Sequence, residues 1–193
     1  MAQMATSIGL LLSVLCLASC GRDERQLRSL VGDGNLSVVE VGAGETTEIR
    51  LVQSADDAQK VLRITLAPAN GLKVQRERIT FQADRLPRAA PVIEGVDKVQ
   101  LAPAEAANVR KRLGLFRPEK LSADGPFIMP NGCDFVFHGS SKAVVAYNRV
   151  DGSGGLFILQ GNCDNRNASL LADELRDIVA SLPKMKAAEA FRW

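Results

Sequence analysis

The last third of the chain constrains the fold most strongly. Between residues 168 and 182, Leu171, Leu175, Ile178, Val179 and Leu182 recur at helical spacing, which places them in one apolar stripe along an α-helix. Asn167 stands where a capping side chain accepts from the first free N–H groups, and Pro183 ends the run. Such a stripe has to lie on an apolar surface, and the preceding residues supply one. Residues 134–138, 143–150 and 156–160 are rich in Val, Ile and Phe and read as strands. Gly139-Ser140-Ser141 and Asp151-Gly152-Ser153-Gly154-Gly155 join them as hairpin turns, with glycine supplying the positive φ of a tight reversal. The helix is expected to cover one face of this three-stranded unit.

The first half of the chain has a period of two. Residues 36–41, 46–52, 61–67, 72–75 and 78–82 alternate and are separated by Gly, Asn, Pro and Asp, as short antiparallel strands are. Thr47, Ile49 and Leu51 then face a core, with Thr46, Glu48 and Arg50 outward. Residues 83–96, with Pro87, Pro91 and Gly95, read as a long connection, and 98–102 as a further short strand. Pro103 suits a first helical position; residues 104–113 follow with Ala106, Val109 and Leu113 on one face, closed by Gly114. The expected class is α+β: short antiparallel strands forming a sheet or small sandwich, with two packed helices at about 104–113 and 168–182. At 46% hydrophobic and 24% charged residues the chain is globular in composition, and one domain over residues 35–183 with a tail at 184–193 accounts for it.

Ile8 to Leu17 is an apolar run interrupted by Gly9 and Ser13, the length of a signal-peptide core and too short for a membrane-spanning helix. It ends in Leu17, Ala18, Ser19 and Cys20, which resembles the lipobox of bacterial lipoproteins. Residues 1–19 carry no Lys or Arg, so the terminal amine is the only positive charge ahead of the run. The resemblance implies a signal peptide over 1–19, acylation of the Cys20 thiol, and a lipidated tether over 20–34. Gly21 stands where an Asp would resemble an inner-membrane retention signal, so the expected address is the periplasmic face of the outer membrane. Two or three acyl chains on one Cys hold a domain stably on a bilayer.

Of the four cysteines, Cys16 leaves with the signal peptide and Cys20 is acylated, so Cys133 and Cys163 remain and are expected to join in an oxidising periplasm. A plain meander would separate them by roughly 15 to 20 Å, whereas a disulfide needs Cα atoms within about 7 Å. Either the chain folds back after Gly161 or residues 133–138 pair differently.

The net charge of +2 conceals a basic middle. Arg110, Lys111 and Arg112 cluster on the first helix with Arg117 just beyond, and such a cluster is expected to attract an anionic envelope component or an acidic protein. Aromatics at 5% argue against base-stacking surfaces, so no nucleic-acid partner is expected. His138 is the only histidine; with Asp134, Ser140 and Ser141 it offers the residue types of a Ser-His-Asp site, but no GxSxG elbow occurs. Zinc lacks ligands, the Gly-rich turn lacks the GK[ST] of a phosphate loop, and Asp56, Asp57, Asp173 and Glu174 read as solvated carboxylates. The expectation is a lipoprotein that binds without catalysing, using no cofactor and no metal; an envelope hydrolase built on His138 is the alternative. A small, β-rich, disulfide-bonded, lipid-anchored build is also similar to that of lysozyme inhibitors, although none of their motifs occurs here.

Overall fold

In the computed structural model, which describes residues 27–31, 39–54, 58–81, 90–136, 141–185, 188 and 191, alternation along β1 (Thr46–Ser54) sets the frame. Thr47, Ile49 and Leu51 are buried, while Thr46, Glu48 and Arg50 lie half-exposed on the opposite side. The remaining strands are β2 (Ala58–Leu66), β3 (Gly71–Thr80), β4 (Val92–Gln100), β5 (Phe127–Ile128), β6 (Ser141–Asn148) and β7 (Gly154–Gln160). All join a single sheet in the order β4-β3-β2-β1-β6-β7-β5. Among the described residues only the β5–β7 pair is parallel.

Register places the core on one face. Ile49 pairs with Ile64 and Val145, Ile64 with Val74, and Val145 with Phe157. This row is continuous with the buried residues of α1 (Pro103–Leu113) and α2 (Arg166–Ser181). The fold is therefore α+β, a mixed sheet carrying two helices. Tyr147 and Phe157 are fully buried in it, and Phe157 meets Phe116 edge-on at 4.9 Å.

Several boundaries differ from those expected. Residues 72–75 and 78–80 belong to one strand, β3, because Glu77 in its middle is paired with Arg63 instead of breaking the run; Gln82 lies outside the described residues. Residues 92–96, expected in a connection, open β4, which is exposed along its length and so shows no alternation. Residues 39–42 are not strand, and residues 32–38 lie outside the described part. Gly114 caps α1 as expected, but at φ −55°, and the chain runs on into a 3-10 turn, Gly114–Phe116, which buries Leu115 and Phe116.

The first strand of the expected meander does not form over its described part: residues 134–136 are not strand, and 137–138 lie outside the described residues. The side of β6 where that strand was expected is taken by β1, Phe127–Ile128 lies on the outer side of β7, and the Gln160 side chain serves Val136 as a strand would, accepting from its N–H at 2.9 Å and donating to its carbonyl at 3.0 Å. The chain reverses at Asn131 and Gly132, where Gly132 takes φ +78°, and delivers Cys133 to Cys163.

The segment expected to be a free tether is partly built into the domain. Leu27, Arg28 and Val31 are buried, Val31 bridges Pro130, and Arg28 donates to the Leu115 carbonyl at 2.7 Å. At the other end Met185 is buried, with Ala188 and Phe191 against the core, so the expected tail also packs.

Candidate functional site

Helix α2 begins one turn after the second cysteine. Its cap is Asn165, whose side chain accepts from the Ala168 N–H at 2.9 Å; Asn167, the expected cap, instead donates to the Asn131 carbonyl at 3.0 Å. Asn165 donates to the same carbonyl at 3.2 Å. The Cys133–Cys163 disulfide, with Cα atoms 5.4 Å apart, closes this corner. The first turns of α2, the 131–133 loop and the end of β7 are thus held as one unit.

Beside that unit lies a cleft of about 680 Å³ between α2, the ends of β1 and β7 and the start of β6. Val52, Leu159, Cys163, Ala168 and Ala172 line its apolar part, and Lys142, Asp164, Asp173 and Arg176 its charged part, with Ser141 and Ser169 among them. Asp173 and Arg176 form an exposed ion pair at 2.6 Å, one helical turn apart. Two cations and two carboxylates balance, so the cleft suits a ligand of mixed polarity with an apolar part and gives no net pull on a polyanion. Ala168 and Ala172, a turn apart on α2, leave the room for it. That small-residue pair was the available sequence signal, and only the sheet in front of it turns it into a cleft.

The four cations expected to form an anion-binding surface are not gathered on one. Arg110 is buried and tied to the β2–β3 turn, donating to Asn70 Oδ1 at 2.6 Å and to the Ala67 carbonyl at 2.8 Å; burial lowers its pKa below the usual guanidinium value. Arg112 grips Glu174 with Nε at 2.9 Å and Nη2 at 2.7 Å and so joins the two helices. Arg117 is buried against Glu45. Lys111 alone of the four is exposed. Arg110, Arg112 and Arg117 are drawn off the expected basic surface by one cause: a guanidinium reaches backbone carbonyls and carboxylates that the fold brings within range.

Around Glu45 the sequence offered no local sign of what the fold assembles. Its carboxylate accepts from Arg117 on both oxygens and from Arg149 Nε at 2.9 Å. Burial pushes its pKa up, but hydrogen bonds from Arg117 and Arg149, with the fields of the two cations, outweigh burial and leave it below the ordinary value. Cys20 and His138 lie outside the described residues. Among the described residues no group of three or more His, Cys, Asp or Glu is placed to hold a metal ion, and no helix is long and apolar enough to cross a membrane.

No protein-family model, no curated protein and no solved structure matches the chain.

Proposed function

We propose that the protein is a cell-envelope lipoprotein, acylated at Cys20 and held on the periplasmic face of the outer membrane, whose domain is a non-enzymatic interaction module. The observation that carries this reading is the cleft beside the disulfide-closed start of α2. Its walls are a helix and three strands, so it keeps its shape, and its balanced charge with an apolar part matches a segment of another protein better than a polyanionic head group. The disulfide supports an oxidising compartment. Only six residues lie between Cys20 and buried Leu27, a reach of at most roughly 25 Å, so an acylated Cys20 would hold the domain close to the bilayer.

The test has two parts. Mass spectrometry of the membrane-extracted protein is expected to find acyl chains on Cys20 and no residues ahead of it; an unmodified Cys20 removes the anchor from the reading. A photo-crosslinking residue at Ser169 is expected to capture a discrete protein partner in cells, and Ala172→Trp, which fills the cleft, is expected to abolish that adduct. Capture from position 111 on α1, with none from position 169, would move the interaction to the exposed lysine and away from the cleft.

A further inference from the structure

The edge of the sheet opposite β5 is β4, nine residues long, and among the described residues no strand pairs with its outer side. It also carries four of the large exposed apolar side chains: Val92 at 52%, Ile93 at 57%, Val96 at 44% and Val99 at 37% exposure. A long apolar edge is a template for another strand, and proteins that stay monomeric usually blunt it. Here the blunting consists of one bulge, where Arg76 and Glu77 of β3 meet Gly95 and Ile93, and of the charges of Glu94, Asp97 and Lys98.

Register says which strand would fit. Val99 pairs with core-facing Leu72, and Val92 with Arg78, so Val92, Gly95, Asp97 and Val99 lie on the helix-bearing face. Val96 pairs with Gln75 and Ile93 with Glu77, so Ile93, Val96 and Lys98 lie on the other. The bulged Glu94 turns to the helix-bearing side, where Arg76 and Arg78 reach it at 3.2 and 3.3 Å. Residues facing each other across an antiparallel pair must share a face. For two copies of β4 running antiparallel, the registers centred on Val96 and on Asp97 keep faces matched over equal overlaps, and the Val96 register is the one that sets no like charges opposite each other. It sets Val96 against Val96, Val92 against Val99 twice, and Ile93 against the aliphatic stem of Lys98 twice. A shift of one matched step sets Asp97 against Asp97, a like-charge pair that opposes slippage.

We propose that β4 pairs with β4 of a second copy of this chain, antiparallel about a two-fold axis at Val96, joining two sheets into one. Such an interface is isologous and closes at two. A single pair of nine-residue strands falls below the roughly 1,200 Å² of a standard stable interface, so the dimer is weak and dissociates on dilution. The pairing stands on the geometry of β4 alone and holds whether or not Cys20 is acylated.

The test uses the full-length protein in detergent solution. Across a two-fold strand pair, position 96 meets itself at a Cα distance of about 4.5 to 5.5 Å, within disulfide reach. Val96→Cys is therefore expected to give a covalent dimer on mild oxidation, well above the wild-type background. Val150→Cys is the collision control, since Val150 on the β6–β7 turn is 97% exposed but lies far from the axis. By sedimentation, the wild-type protein is expected to rise in average mass up to about twofold between about 1 and 100 µM, and Val96→Lys to stay monomeric with an unchanged circular-dichroism spectrum. A monomeric wild type over that range overturns the proposal. So does Val150→Cys linking as fast as Val96→Cys, a dimer that survives Val96→Lys, or adducts of position 96 with other proteins in place of its own copy.

Discussion

Arg117 and Glu45, 72 residues apart, meet as a bidentate pair with Nε–Oε2 at 2.9 Å and Nη2–Oε1 at 2.7 Å, their side chains only 4% and 2% exposed. Arg117 also donates to the Pro118 carbonyl at 3.0 Å, and Arg149 reaches Glu45 from the end of β6. Three stretches are joined here: the entry to β1, the loop after α1, and the β6–β7 turn. Removing one partner of a buried pair strands the other charge, which costs about 3 to 5 kcal/mol. Glu45→Gln is expected to lose that much in urea denaturation, and Arg149→Ala far less, because its side chain is half-exposed. A Glu45→Gln variant within about 1 kcal/mol of wild type would mean that water reaches the pair.

The same carboxylate sets the acid limb of stability. Its folded pKa lies below the ordinary 4.5, so as pH falls the unfolded chain takes up the proton first. The stabilisation is complete above 4.5 and is lost as pH falls through the folded value. Glu45→Gln is expected to flatten the decline of melting temperature below pH 4.5. Tyr147 acts at the other end: burial holds its pKa well above 10, the unfolded chain ionises first, and stability falls as pH rises past 10. In Tyr147→Phe that alkaline decline is expected to shrink, at a cost of about 1 to 3 kcal/mol for the Leu113 carbonyl left without its 2.6 Å bond.

What the sequence disclosed was local. The α2 stripe was readable because one helix face carries the whole signal, and the positive-φ turn before β7 because Gly152 must supply it, at φ +84°. The alternation of Thr47, Ile49 and Leu51 was readable for the same reason. Pairings over long separations were not. Nothing near Arg117 points to Glu45, and nothing near Arg63 to Glu77. β4 was half-missed because neither of its faces is covered, so it has composition without pattern. Phe135 and Val136 have strand composition, yet Gln160 takes the place of a neighbouring strand there. Beyond the Ala168 and Ala172 pair the cleft left no sign, because its walls come from β1, β6, β7 and α2, and only the sheet order brings these together.

Arg110 and Lys111 are neighbours with opposite duties. Arg110 fastens α1 to the β2–β3 turn, where Asn70 sits at φ +62°, while Lys111 is exposed. Arg110→Ala strands Asn70 Oδ1 and loses a charged hydrogen bond, so about 1.5 to 3 kcal/mol is expected. Lys111→Ala is expected to stay within about 0.5 kcal/mol. Thermal melts of the two variants give the comparison directly, and equal losses would show that the turn does not depend on Arg110.

The disulfide should act on the corner it closes more than on the sheet. It shuts a loop of sequence separation 30, for which chain entropy gives roughly 3 to 4 kcal/mol, or a melting shift of roughly 6 to 16 °C for a chain of this size. Cys163 lines the cleft, and Asn165, which caps α2, is anchored to the Asn131 carbonyl across the bridge. The double change Cys133→Ala and Cys163→Ala is therefore expected to speed hydrogen exchange at the amides of Ala168 and Ser169 first. The β2–β3 amides have no link to the bridge and should change only with global stability. Uniform acceleration across the domain would show a purely entropic staple with no part in shaping the cleft. Two reactive thiols in the oxidised wild type would show that the bridge does not form.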